Sequence, residues 1–193
     1  TDSFNTAVGF SAGVAVTTGI RNTILGGEAG DALTDADDNT AVGSLALSAD
    51  TLGSTSTAIG RGALKVQNFT TATQTFNTAV GYSAGEAVTT GIKNTFVGGL
   101  AGDANTTGMN NIAIGYDSLG TNTAAGANVA VGYEALKTFN STTNTSQFNT
   151  AVGTQAGKAV TTGIRNTLIG GATGFALTDA DFNVAIGMNA LST

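Results

Sequence analysis

Asn77-Thr78-Ala79-Val80-Gly81-Tyr82-Ser83-Ala84-Gly85 is a unit that the rest of the chain repeats with small changes. Counting its Asn as position zero, the equivalents are Asn5, Asn22, Asn39, Ser56, Asn77, Asn94, Asn111, Asn128, Asn149, Asn166 and Asn183. The steps between them are 17, 17, 17 and 21 residues, then the same four again, then 17 and 17. Eleven units are present, and four of them make a super-repeat of 72 residues: 5–76, 77–148 and, in part, 149–193. Fixed periods of this length belong to stacked repeat folds, in which a unit too short to bury a face alone is stabilised by its neighbours.

Two columns set the local structure. Position four is always Gly, from Gly9 through Gly81 to Gly187. That marks a backbone site with positive φ, or one too crowded for a Cβ. Position three is always Val, Ile or Leu, which favours a strand packed on a core. Helix is excluded, since each interior Gly costs about 1 kcal/mol relative to Ala. The chain therefore reads as all-β, a single parallel β-solenoid over 1–193. A strand covers N-T-A-V, Gly turns the corner, and a second short strand lies near A-V-T-T. Stacking at about 4.8 Å gives a rod on the order of 50 Å long.

The composition agrees. There are 28 Gly, no Pro, Cys, His or Trp, and only 10% charged residues, yet 41% are hydrophobic. Mean hydropathy is +0.15, too apolar for a disordered low-complexity segment. Net charge is −6, and the seven basic residues are scattered, so no patch can follow a phosphate backbone. No apolar run reaches the roughly 20 residues of a membrane span. The chain starts without Met or a signal sequence, and is expected to be an internal segment of a longer fibrous protein.

The columns also suggest labour. Asn5, Asn22, Asn39, Asn77, Asn94, Asn111, Asn128, Asn149, Asn166 and Asn183 are expected to bond amide to amide as a ladder, with Ser56 the one break. Position eight alternates between Gly and Leu, and position eleven tends to compensate with Val, Leu or a polar residue. One bulky side chain from either position is expected to fill each coil; Asn105 and Phe139 fall outside the rule. Phe4, Phe76 and Phe148, spaced by 72, are expected to plug the end of a long coil. Neighbours in a strand point to opposite faces, and positions two and three are both apolar. With position three inside, Ala79, Phe96, Ala113, Ala130, Ala151 and Leu168 become an outward seam between parallel copies.

Catalytic chemistry has little material. Without His or Cys, no His-assisted triad, thiol nucleophile or usual zinc site can be built, and the chain is expected not to be an enzyme and to need no cofactor. Asp35, Asp37, Asp179 and Asp181 form acidic corners whose oxygens suit Ca²⁺, although no full ligand set is visible. Tyr82, Tyr116 and Tyr133 share the position after the Gly corner, and could stack on sugars or cover the seam. Asn68 and Asn140 begin N-x-S/T sequons in the two long coils, with further matches at Asn105 and Asn144.

N-T-A-V-G-Y-S-A-G and N-V-A-V-G-Y-E-A-L resemble the repeat region of bacteriophage tail fibres and the head repeats of trimeric autotransporter adhesins. The resemblance covers essentially the whole chain. It implies left-handed β-roll coils in a homotrimer on the outside of a phage or a cell, with a host glycan or receptor as partner. The expected function is the shaft of an extracellular phage tail fibre used in host attachment; the alternative is a bacterial surface adhesin or secreted filament. Coils of 17 and 21 residues are longer than the adhesin head's usual coil.

Overall fold

A computed structural model describes residues 3–193, which form a stack of eleven coils. The strands are β1 (Thr6–Val8), β2 (Thr23–Leu25), β3 (Thr40–Val42), β4 (Gly53–Ser54), β5 (Thr57–Ile59), β6 (Thr73–Gln74), β7 (Thr78–Val80), β8 (Thr95–Val97), β9 (Ile112–Ile114), β10 (Val129–Val131), β11 (Thr150–Val152), β12 (Thr167–Ile169) and β13 (Val184–Ile186). All but β4 and β6 join one parallel sheet of eleven strands in chain order. Register is strict, with Ala79 beside Phe96 and Phe96 beside Ala113. Inter-coil bonds continue past the strand ends, as Thr78 N to Asn94 O (2.8 Å) and Gly98 N to Val80 O (2.8 Å).

The A-V-T-T segment is turn rather than a second strand. Among the described residues, only β4 with β6 and a single bridge between Gly126 and Ser146 pair outside the main sheet. The reason is conformational. Each coil holds left-handed residues at positions six and eight and just before the next Asn, for instance Ser83 (φ 50), Gly85 (φ 58) and Lys93 (φ 60). Such residues break a strand after two or three steps. The corner Gly has both properties expected of it. At Gly81 φ is +142, and a Cβ would sit 2.5 Å from the carbonyl oxygen of Gly98.

The strand's two faces are the reverse of the sequence expectation. Position two points inward: Ala79, Phe96, Ala113, Ala130, Ala151 and Leu168 are fully buried within the single chain. They cannot be the seam. Position three points outward, with Val8, Leu25, Ile59, Ile114, Val152, Ile169 and Ile186 exposed and the others half-buried. Both columns are apolar, so strand alternation alone gives no preference. The interior is narrow, and the small Ala column fits it while a full column of Val or Ile does not.

Position two also completes the packing rule. Ile24, Phe96 and Leu168 are the bulky members of that column, and all sit between Gly residues at position eight. A Cβ at Gly102 would lie 2.4 Å from the Phe96 ring, and one at Gly85 2.7 Å from it. Phe96 thus fills the coil that Gly102 and Asn105 leave empty. Burying such a ring contributes about 1.5–3 kcal/mol. Phe4, Phe76 and Phe148 do not plug the long coils: each lies at left-handed φ, with its ring exposed.

Candidate functional surface

The Asn column is buried from Asn22 to Asn166 and half-buried at its ends, Asn5 and Asn183, and its bonds run mainly to backbone. Asn22 N donates to Asn5 Oδ1 (2.7 Å), while Asn22 Nδ2 donates to the carbonyl of Ala36 (2.7 Å). Asn39, Asn94, Asn111, Asn128, Asn149, Asn166 and Asn183 continue the first bond by the same N–H to Oδ1 contact. Amide-to-amide contacts are secondary, as at Asn94 to Asn77 (3.3 Å). The correction has a simple cause: each buried corner needs its own backbone groups satisfied first.

Ser56 does not leave the ladder open. Asn39 Oδ1 accepts Ser56 N at 2.8 Å, and Gln67 takes over the missing amide. Its Nε2 donates to Asp50 Oδ2 (2.6 Å) and Ser56 Oγ (2.8 Å), and its Oε1 accepts Asn77 Nδ2 (2.8 Å). Ser56 Oγ also meets Thr75 Oγ1 at 2.7 Å.

The acidic corners work on the chain itself. Asp37 Oδ1 accepts Ile20 N (2.8 Å), and Asp181 Oδ1 accepts Ile164 N (2.7 Å), the same contact two super-repeats apart. Asp35 accepts the Thr18 hydroxyl at 2.5 Å, and Asp179 that of Thr178 at 3.2 Å. No cluster of three or more potential metal ligands occurs among the described residues. Asn68 and Asn140 are exposed, and their Oδ1 atoms accept from the Thr51 (3.2 Å) and Thr123 (2.9 Å) hydroxyls. Asn105 is buried, so its sequon is closed off.

The tyrosines form an exposed row in which each ring has one neighbour on a face. Tyr116 and Tyr133 stack with centroids 6.0 Å apart and planes within 13°. The Arg61 guanidinium lies 5.7 Å from the Tyr82 centroid.

One polar cluster escaped the sequence reading. Lys137 Nζ meets Asp117 Oδ2 and Glu134 Oε1, each at 2.7 Å, and Lys158 Nζ meets Glu134 Oε2 at 2.7 Å. Hydrogen bonds from Lys137, Lys158 and Gln155 hold the Glu134 carboxyl down at about 2. Nearby, burial and the Asp117 carboxylate push Asp103 up to about 6. Offsetting the sequence by one coil, rather than scanning it locally, would have revealed the pairs.

The largest surface feature is the outer face of the eleven-stranded sheet. Position three supplies an unbroken aliphatic column, and position one adds Ile112 and Val184. Phe4, Phe76, Phe148 and Phe182 border it on one side; Phe10, Tyr82, Tyr116 and Tyr133 border it on the other. Most of the chain's exposed large hydrophobics lie in these four columns. Among the described residues, no helix is long and apolar enough to cross a membrane. No family model, no curated protein and no solved structure matches this chain.

Proposed function

We propose that this chain is a structural rod, the shaft segment of an extracellular phage tail fibre, built from parallel copies joined along the outer sheet face. The observation that carries the reading is the unbroken aliphatic column from Val8 to Ile186 on the outside of the rod. A soluble monomer rarely exposes so long a stripe. The face measures about 50 Å by roughly 13 Å, on the order of 650 Å², close to the ~800 Å² per partner of a stable interface. Parallel copies related by a closed rotation bring like columns to the same height. The sequence resemblance supports three copies, a virion location and a role in host attachment, with any receptor-binding tip carried elsewhere. The rod is assigned no reaction.

A bacterial surface adhesin or secreted filament would use the same architecture, and the exposed tyrosine row on the flank favours that reading if a ligand is found there.

Light scattering tests the assembly. A mass of three times 18.9 kDa is expected, and Ile114→Glu, which puts a charge into the face, is expected to lower it. A wild-type monomer would overturn the proposal.

A further inference from the structure

Gly26-Gly27, Gly98-Gly99 and Gly170-Gly171 are pairs spaced by 72 residues. The first Gly of each pair is required, with φ of +139, +133 and +132 and no room for a Cβ. The second is required by nothing inside the chain. Its φ lies outside the region that favours glycine, and a Cβ would meet nothing within 4 Å at Gly27, the Tyr116 ring at 3.5 Å and the Tyr82 carbonyl oxygen at 4.0 Å at Gly99, and only the Thr154 carbonyl oxygen at 4.0 Å at Gly171. A glycine without conformational or internal steric cause marks a place where something outside approaches the backbone.

The opposite border of the sheet face carries a matching series. Arg21, Lys93 and Arg165 directly precede the same three coils, are spaced by the same 72 residues, and are all exposed. Arg21 is held on its border by Asp38 (2.6 Å), and Arg165 by the Phe182 ring (5.2 Å to the centroid). When parallel copies surround an axis along the rod, one border of each sheet face meets the other border of its neighbour. Symmetry places equal coils at equal height. The three long cations then arrive opposite the three bare glycines.

We infer that Gly27, Gly99 and Gly171 are notches that receive Arg21, Lys93 and Arg165 of a second copy, locking the copies parallel and in register. The inference rests on the assembly proposed above and names its contacts. The stem of each cation packs on bare backbone, and at Gly99 the head enters between Tyr82 and Tyr116, a cation–π setting.

Cysteine cross-linking tests the register, because the chain has no cysteine of its own. Lys93→Cys/Gly99→Cys is expected to oxidise to a covalently closed multimer on a denaturing gel. Arg165→Cys/Gly171→Cys is an independent second pair in case the first disturbs folding. Lys93→Cys/Gly27→Cys, displaced by one super-repeat, should stay uncross-linked, since a disulfide needs Cα atoms within about 7 Å. Cross-linking by Lys93→Cys alone would show like borders meeting and overturn the inference. So would failure of both matched pairs in a protein whose wild-type mass is multimeric, a result that leaves the assembly standing. A monomeric wild type removes both.

Discussion

The two 21-residue coils, 56–76 and 128–148, occupy equivalent places in successive super-repeats, yet they are filled in opposite ways. Coil 128–148 keeps the ladder residue Asn128 and buries Phe139 fully beside Leu136. Coil 56–76 has Ser56 in the ladder and Gln67 where Phe139 would be; its buried aromatic is Phe69, two residues on, where the other coil has Ser141. Gln67 is as deeply buried as Phe139, but it packs by hydrogen bonds to Asp50, Ser56 and Asn77. In the apolar coil the ladder spans the long step unaided, Asn149 N reaching Asn128 Oδ1 at 3.2 Å. In the polar coil Asn77 N turns to Thr75 Oγ1 at 3.3 Å. A coil thus keeps filled volume and satisfied polar groups together, and neither column does so alone.

The largest effect is expected from emptying the apolar coil. Phe139→Ala should destabilise by about 3–5 kcal/mol, the usual cost of a large aromatic lost from a close-packed interior. Thermal unfolding reads it, and a change indistinguishable from zero would mean that the coil collapses around the gap. Gln67→Ala should cost less, about 1–3 kcal/mol, through the groups it leaves unpaired. Because Gln67 has these partners, Leu64→Gly should not be rescued by adding Gln67→Val, as compensation between positions eight and eleven alone would require. A smaller net effect is expected from transplanting the whole arrangement. Asp50→Asn, Ser56→Asn, Gln67→Phe and Phe69→Ser together should melt near the wild type, with Gln67→Phe alone clearly below it. Equal losses in the two variants would show that the sites do not compensate.

The smallest effect is in pH dependence, and it too separates the halves. Burial lifts the Asp50 carboxyl above 3.8, against bonds from Gln67 and the Phe69 and Gly53 amides. The folded state then holds that proton more tightly than the unfolded one, so stability falls as pH rises from 3.8 through the raised value. Asp103, lifted to about 6, adds a slope of the same sign. Glu134 acts oppositely, losing its contribution as pH falls from 4.5 towards about 2. Above pH 3.8, Asp50→Asn should therefore remove the part of the fall in melting temperature that Asp50 causes, leaving that of Asp103. Asn122, the equivalent residue one super-repeat on, carries no charge to titrate.

Much of the fold was legible because a period survives inspection without knowledge of packing. The Asn and Gly columns located every coil, and the corner glycines could be read individually. The outward face was misplaced by one residue: it is position three, and position two is buried within the chain. Ala79 and Val80 are both apolar, and alternation says only that they part company. That Gly27, Gly99 and Gly171 are required by nothing inside the chain was hidden because one glycine looks like another until its φ and its surroundings are known.

By itself the sequence determined eleven coils, their lengths, the 72-residue grouping and the corner at every fourth position, since all are matters of spacing along the chain. Tertiary structure alone decided which strand face turns inward, which column fills each coil and how Gln67 replaces a missing Asn. Those choices depend on distances between coils, where a coil interior admits Ala beside Leu or Phe beside Gly, and leaves no room for both to be large.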